Sequence, residues 1–435
     1  MRVSSIGVKN AVMNVENTQG NLIWDLIVVG GGASGLMAAG RAGERGLRVL
    51  LLEKNKKVGE KLKISGGGRC NITNAEFDIR KFIPAYGKSE QLLYSLFSQF
   101  GVKETFSFFE LRGLPLVIQA RKRAFPSTEK AEDVLKTLEK YARDGKITIL
   151  TNSPVTKIHA TKARITAVSS GKNIYRANEY LISTGSVSHP ETGSTGDGFK
   201  WLKDLGHTIL NPTPTIVPIA TKEEWSKKIA GVSLSFMKIT FFMEGKKAFS
   251  ETGKVLFTHF GLSGPLILNS AHKVSDLLHS GIVTVSIDAY PDTDLGMLER
   301  RIIGIFDQNK NKTLKNILKE FIPNGTLKGI ETLLAENIDI TKKVHSVSKE
   351  ERKAIVRILK ALPLTIVGLM GFDRAVIADG GVALKEIDMK TMRSKKVSNL
   401  FVTGDLLHIN RPSGGFSLQL CWSSGYVAGS HVGIN

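Results

Sequence analysis

The chain has 435 residues, 42% of them hydrophobic and 23% charged, with 43 glycines. That is enough for two or three domains with a substantial core, and it excludes a disulfide-dependent miniprotein or a disordered polar tail. Lys and Arg total 60 against 40 for Asp and Glu, a formal net charge of +20, which marks either a polyanionic partner or a solvated lysine surface.

The only two cysteines, Cys70 and Cys421, form no CxxC pair, so neither a disulfide framework nor a metal site is expected and a reducing cytoplasm fits. No apolar run approaches the roughly 20 residues that span a bilayer, so no membrane partner is expected. Residues 1–20 are polar and weakly patterned, and read as an N-terminal extension.

In chain order, an apolar strand, Asp25 to Val29, runs into Gly30-Gly31-Gly32-Ala33-Ser34-Gly35 and a small-residue helix to about Arg45. A second strand, Arg48 to Leu52, ends at Glu53. This is the context of a dinucleotide fingerprint. Gly30 permits the tight turn, Gly32 lets the backbone approach a pyrophosphate, Gly35 lets helix and strand pack closely, and Glu53 can accept from ribose hydroxyls. Next comes Gly59 to Asn74, GEKLKISGGGRCNITN, expected as a shaped loop beside the ligand. Helical patterns follow from about Ser89 to Phe109 and from Ser127 to Asp144. Strands at Ile147 to Leu150, Val155 to Ala160 and Arg164 to Ser169 read as a β-meander. The strand Glu179 to Ser183 then enters Thr184-Gly185, and Asp197 is placed to cap a short helix.

The composition changes at Asn211-Pro212-Thr213-Pro214, a domain crossing. From Ile216 to Asp288 the pattern alternates and is β-like, and from Leu295 to Leu362 it is amphipathic helix rich in Lys. Strand and glycine-turn patterns then return in the C-terminal part. There Gly404-Asp405 follows a strand, and Gly415-Phe416-Ser417 opens a final helix. An acid after a late strand suits a ribityl chain, and a helix N-terminus suits the flavin edge that gains negative charge on reduction. A second ligand-shaped element about 370 residues after the first therefore argues for FAD rather than NAD.

With these motifs, VVGGGASGLMAA, ISGGGRCNITN, TGSTGDG, FTHFGLSGP and TGDLL followed by GGF, the chain resembles the YhiN/BaiN-like family of FAD-dependent oxidoreductases from about Leu22 to its C-terminus. The resemblance implies an α/β fold, a discontinuous two-dinucleotide-binding-type Rossmann FAD domain formed by residues 21–211 and 363–435 and carrying an inserted β-barrel-like part, 212–290, and helical subdomain, 291–362. It implies FAD as cofactor and covers activities from bile-acid-type reduction to ribosomal RNA dihydrouridine synthesis. Asp405 stands where the family usually has Glu, Phe416 where Tyr is usual, and His408-Ile409-Asn410-Arg411 where an acidic stretch is common.

The cofactor-binding set expected from both ends of the chain is Gly30, Gly32, Ala33, Ser34, Gly35, Glu53, Lys54, Lys61, Gly67, Arg69, Cys70, Asn71, Val155, Thr184, Gly185, Gly404, Asp405, Gly415, Phe416 and Ser417. Reduction of an activated C=C needs a hydride and a proton, with NAD(P)H as the transient reductant. Cys70 is either that proton donor, as a thiol, or a packing residue beside the cofactor. His259, in the loop FTHFGLSGP, is either a second donor or a structural histidine. Cys421 reads as core. Lys57, Lys63, Arg112, Arg121, Lys122, Arg123 and Arg411 form the expected RNA-binding set, with phosphate contacts docking ribosomal RNA before one base is extruded. The leading expectation is an FAD enzyme that reduces a uridine of ribosomal RNA to dihydrouridine. The alternatives are a reductase of a small enone or steroid-like molecule, and a non-catalytic FAD-containing RNA-binding or ribosome-assembly protein.

Overall fold

Hydrophobic strands in pairs with small-residue helices dictate the first layer. In a computed structural model, which describes residues 22–434, the parallel core of a nine-stranded sheet runs in the order Leu400–Val402, Asn173–Ile182, Ile23–Val29, Val49–Leu52 and Thr148–Leu150. These strands are apolar on both faces because helices cover both: Leu26, Ile27, Val28, Leu50 and Leu51 are fully buried. The helix Ala33–Glu44 packs on the last helix, Phe416–His431, at glycine contacts. A Cβ at Gly425 would lie 2.4 Å from the Ser34 carbonyl oxygen, and one at Gly429 would lie 2.4 Å from that of Ala38. The expected N-terminal extension lies outside the described residues.

A second layer is a closed barrel of six strands in the order Ile219–Thr221, Gly261–Ser263, Lys246–Thr258, Ser233–Met243, Val283–Asp288 and Leu362–Leu369. Alternate residues such as Ile239, Phe241, Val255, Phe257, Val285 and Ile287 fill its interior. Helices Leu295–Gln308, Leu327–Ala335 and Lys349–Lys360 pack against it.

Several expectations are corrected. The sixth barrel strand, Leu362–Leu369, follows the helices, so the barrel closes with a segment that the sequence reading gave to the C-terminal part. The crossing at residues 211–214 lies within a strand, Ile209–Thr215, paired antiparallel with Ile377–Val382. Thr148–Leu150 is no member of the meander: it extends the parallel sheet beside Val49–Leu52, and the meander is Val155–Ala160, Ile165–Ser170 and Asn173–Ile182. The helix Pro265–Leu278 sits inside the stretch read as β, started by Gly264 at φ 96° and Pro265 in its first turn. The glycine-rich segment after Gly59 opens with a short helix, Glu60–Ile64, before its 3₁₀ turn, because EKLKI carries helix-forming residues. The pattern from Ser89 to Phe109 is two helices, broken at Phe100-Gly101. Asp197 is the first residue of its helix and Gly196 the cap.

At the far edge of the sheet, Glu386 is buried, 7% exposed. It accepts from Thr208 N at 2.9 Å and Thr208 Oγ1 at 2.7 Å, and pairs with Lys396 Nζ at 2.8 Å. His207 Nδ1 lies 3.2 Å from it, and His207 Nε2 meets Ser394 Oγ at 2.9 Å. Burial pushes the Glu386 carboxyl up, but the Lys396 ammonium and the Thr208 donors outweigh it and hold it at about 2. Burial lowers the His207 pKa despite Glu386, which keeps the imidazole neutral. A depressed carboxyl stabilises the fold above its unfolded value of 4.5, and that contribution is lost as pH falls from there through about 2. Thermal melts of Glu386→Gln should therefore show a loss of about 2 kcal/mol at pH 7. The difference from wild type should shrink between pH 4.5 and 2.

Candidate active site

The first turn of the sheet sets the site. A Cβ at Gly30, at φ 104°, would lie 2.7 Å from the Ser183 carbonyl oxygen, and one at Gly35 would lie 2.0 Å from that of Gly30. Both glycines are there for packing. At Gly32 a Cβ would meet nothing within 4 Å, so this glycine faces open space at the helix N-terminus. No side chain caps that helix and no acid occupies its first turn, which leaves its positive end free for an anion. Glu53, at the end of the second strand, is held by Gly31 N at 2.7 Å and Asn55 N at 2.8 Å.

The other end of the chain faces the same space. The last helix has Gly415 as its N-cap at φ 102°, again without a side-chain cap or an acid in the first turn. Asp405 is gripped by Arg411, and Lys61 Nζ lies 3.6 Å from its other oxygen. Arg411 is buried and also donates to Ser417 Oγ at 3.0 Å and the Ile409 carbonyl at 2.6 Å. It is an internal brace, which corrects its expected place on an RNA-binding surface. Tyr86 Oη donates to the Phe416 carbonyl at 2.9 Å, and the Phe416 ring packs on Phe82 and Tyr86. Asn71, with its amide oriented to satisfy its neighbours, accepts from Gly415 N at 3.0 Å and donates to Thr73 O and Ala124 O.

Together these elements wall a cavity of about 800 Å³, within the range of cofactor and ligand sites. Of the expected cofactor set, Gly30, Gly32, Ala33, Ser34, Glu53, Lys54, Lys61, Gly67, Arg69, Asn71, Val155, Thr184, Gly185, Asp405, Gly415, Phe416 and Ser417 line it. Gly35 and Gly404 lie behind the wall, where a Cβ at Gly404 would sit 2.6 Å from Ser34 Oγ. Lys54 is held by Asp197 at 2.8 Å and by Thr195 at 2.5 Å.

Both expected proton donors fall away. Cys70 is fully buried at φ 60° and turns into the hydrophobic core while Arg69 and Asn71 on either side face the cavity. Burial pushes its thiol up to about 12, with a Ser65 hydrogen bond opposing. His259 is exposed at a strand end with its ring against Phe260, and does not line the cavity. The insert reaches the cavity instead through Pro265, Leu268 and Asn269 of the unpredicted helix. Cys421, read as core, does line the cavity, where burial and the Asp405 charge hold its thiol protonated. His189, Trp201 and Ser413 are further wall residues that no local motif marked.

The expected RNA contacts separate. Arg121 and Arg123 line the cavity. Lys122 is tied to Glu76 and Lys63 to Glu60, the latter at 3.0 Å, while Lys57 is exposed. Arg112 is corrected: its guanidinium stacks 4.0 Å from Phe108 and 4.4 Å from Tyr141, bonds Glu44, and lines a different depression.

Residues 24–431 match the family model described as HI0933-like protein Rossmann domain. The chain belongs to that family. Its members are FAD-dependent oxidoreductases. A 3-dehydro-bile acid delta(4,6)-reductase of Clostridium scindens is 27% identical over 405 residues, 92% of this chain and 97% of that protein. A ribosomal RNA dihydrouridine synthase of Escherichia coli is 27% identical over 409 residues, 93% of this chain and 96% of that protein. Among solved structures, the open conformation of a flavocytochrome c3 fumarate reductase has a TM-score of 0.53 at 16% identity, covering 95% of this chain and 78% of that one. That likeness is one of fold.

The residues present fit FAD: open space at Gly32, two uncapped helix N-termini on one cavity, and a carboxylate at the end of the second strand. A Val side chain at position 32 points into ligand space, whereas one at position 35 strikes backbone. Gly32→Val should keep the melting temperature of the apoprotein and lower FAD affinity at least about tenfold, by about 1.4 kcal/mol or more. Gly35→Val should lose both. Flavin absorbance titration and thermal melts check this.

Proposed function

We propose that this protein reduces a uridine in ribosomal RNA to dihydrouridine, with NAD(P)H as the electron source. Bound FAD would supply the hydride for uracil C6. The observation that carries this reading is that Arg121 and Arg123, neither with an acidic partner among the described residues, stand on the same cavity as the fingerprint glycines. Arg121 occupies the left-handed region at φ 62°, and Lys122 follows at φ 55°. Such a tip costs on the order of 1 kcal/mol per residue. The Lys122–Glu76 pair and the bond from Ala75 N to Lys122 O at 2.6 Å hold it in place. The tip holds the backbone of this segment beside the cavity that both arginines line, where their guanidinium groups would bind phosphates flanking the extruded base. The name of the Escherichia coli relative points the same way.

The basic helices of the insert are a weaker candidate for docking, because Lys315, Lys342, Arg352 and Lys360 pair with Glu331, Glu351, Glu299 and Asp288. A second reading, reduction of a small apolar enone, is favoured by the apolar wall of Ile216, Pro265, Leu268 and Val376, and by the Clostridium scindens relative.

Nucleoside mass spectrometry of ribosomal RNA from a strain lacking the gene distinguishes the two. Dihydrouridine should be absent and return with the wild-type gene. Arg121→Glu/Arg123→Glu should return at least about tenfold less per unit time, with unchanged flavin content, since each lost phosphate contact costs about 1 kcal/mol or more. Unchanged dihydrouridine in the deletion strain would overturn the RNA reading in favour of the small enone.

A further inference from the structure

Asn269 lies in the helix Pro265–Leu278, which the barrel insert sends to the cavity wall. Its Oδ1 accepts from Ser413 N at 3.1 Å and from Ser413 Oγ at 2.7 Å. A backbone N–H can only donate, so this contact fixes which end of the amide faces Ser413. The Nδ2 group is therefore turned away from Ser413, and it has no acceptor among the described residues. Asn269, Ser413 and Gly414 all line the cavity. Ser413 stands three residues before Phe416, where the last helix begins with its uncapped N-terminus. Asn269 is exposed on the cavity side, so an amide positioned by two hydrogen bonds turns its two N–H groups to cavity solvent, which an oxygen acceptor on a ligand can displace.

From this geometry we propose that Asn269 is a catalytic residue whose Nδ2 donates to the carbonyl oxygen of an α,β-unsaturated carbonyl substrate. The inference rests on the reading that the site reduces a C=C bond, and it defines the substrate class as one with a carbonyl conjugated to that bond. Uracil C5=C6 with its C4 carbonyl and a cyclic enone both belong to the class. When hydride reaches the β-carbon, the C=C π bond breaks and its electron pair moves toward the carbonyl oxygen as an enolate. A proton from water then closes the α-carbon, and the carbonyl re-forms. The substrate is reduced by two electrons, and the nicotinamide that recharges the cofactor is oxidised by two. A hydrogen bond to the carbonyl strengthens as the oxygen gains charge, so Asn269 stabilises the enolate more than the substrate.

The test uses the FAD-loaded protein and 4-chlorophenol, whose phenolate mimics an enolate oxygen on a flat ring, titrated by visible absorbance. Asn269→Asp keeps an acceptor for Ser413 but replaces the donor by negative charge, whereas Asn269→Ala removes both. The wild type should bind the phenolate, Asn269→Ala about tenfold more weakly and Asn269→Asp at least about a hundredfold more weakly. Flavin content and melting temperature of the Asp variant should match the wild type, because the Ser413 contacts survive. With transcribed ribosomal RNA as substrate, Asn269→Asp should lower kcat more than it raises KM. Equal phenolate affinity in all three proteins, or none in the wild type, would overturn the role of Asn269. A wild-type protein that binds phenolate through Asn269 yet leaves ribosomal RNA unreduced would remove the RNA reading while keeping the assignment of Asn269.

Discussion

Two helix N-termini that no side chain caps converge on one cavity, and the rest of the molecule is arranged to keep them there. A helix start leaves backbone N–H groups unsatisfied, and its dipole places partial positive charge at that end. The first and last helices both begin this way, after glycines and without acids. They are held together by backbone-close contacts, Gly425 against Ser34 and Gly429 against Ala38, that any side chain would force apart. Closing the cofactor site therefore requires joining segments from opposite ends of the chain. The parallel pairing of Leu400–Val402 with Asn173–Ile182, next to Ile23–Val29, does so inside the sheet.

The barrel and its helices serve this arrangement from outside. The barrel has its own hydrophobic core, and its strands alternate inward and outward residues. What it contributes to the cavity comes through one helix, Pro265–Leu278, with Asn269 bonded to Ser413 of the loop that enters the last helix. Fingerprint glycines, the Arg121–Arg123 segment and the insert helix thus each contribute a different part of the cavity wall.

The fold and the cavity wall built by the two helix starts were legible because their signals are local. Gly30, Gly32, Gly35 and Glu53 are spaced by one strand, one turn and one helix, so sequence distance sets spatial distance. Asp405 and Gly415 were legible for the same reason. The rest of the cavity wall was not. Cys70 was attractive for its neighbours Arg69 and Asn71, but a positive φ turns its side chain away from the cavity that they face. Arg411 was expected to contact RNA, whereas it is buried and paired with the nearby Asp405. His259 and Asn269 are ten residues apart, and only the packing of the helix between the barrel and the last segment decides that Asn269 reaches the wall. The helix itself was masked by the alternating strands around it, although Gly264-Pro265 is a helix-start signal.

The central claim is that both ends of the chain hold one FAD. The most direct measurement is the structure of the protein crystallised with the flavin that it retains on purification. The account predicts one FAD per chain, its pyrophosphate at Gly32 and the N-terminus of the helix Ala33–Glu44, and its isoalloxazine ring against the N-terminus of Phe416–His431. A protein that retains no flavin and takes none up, or a flavin ring lying away from the last helix, would contradict it.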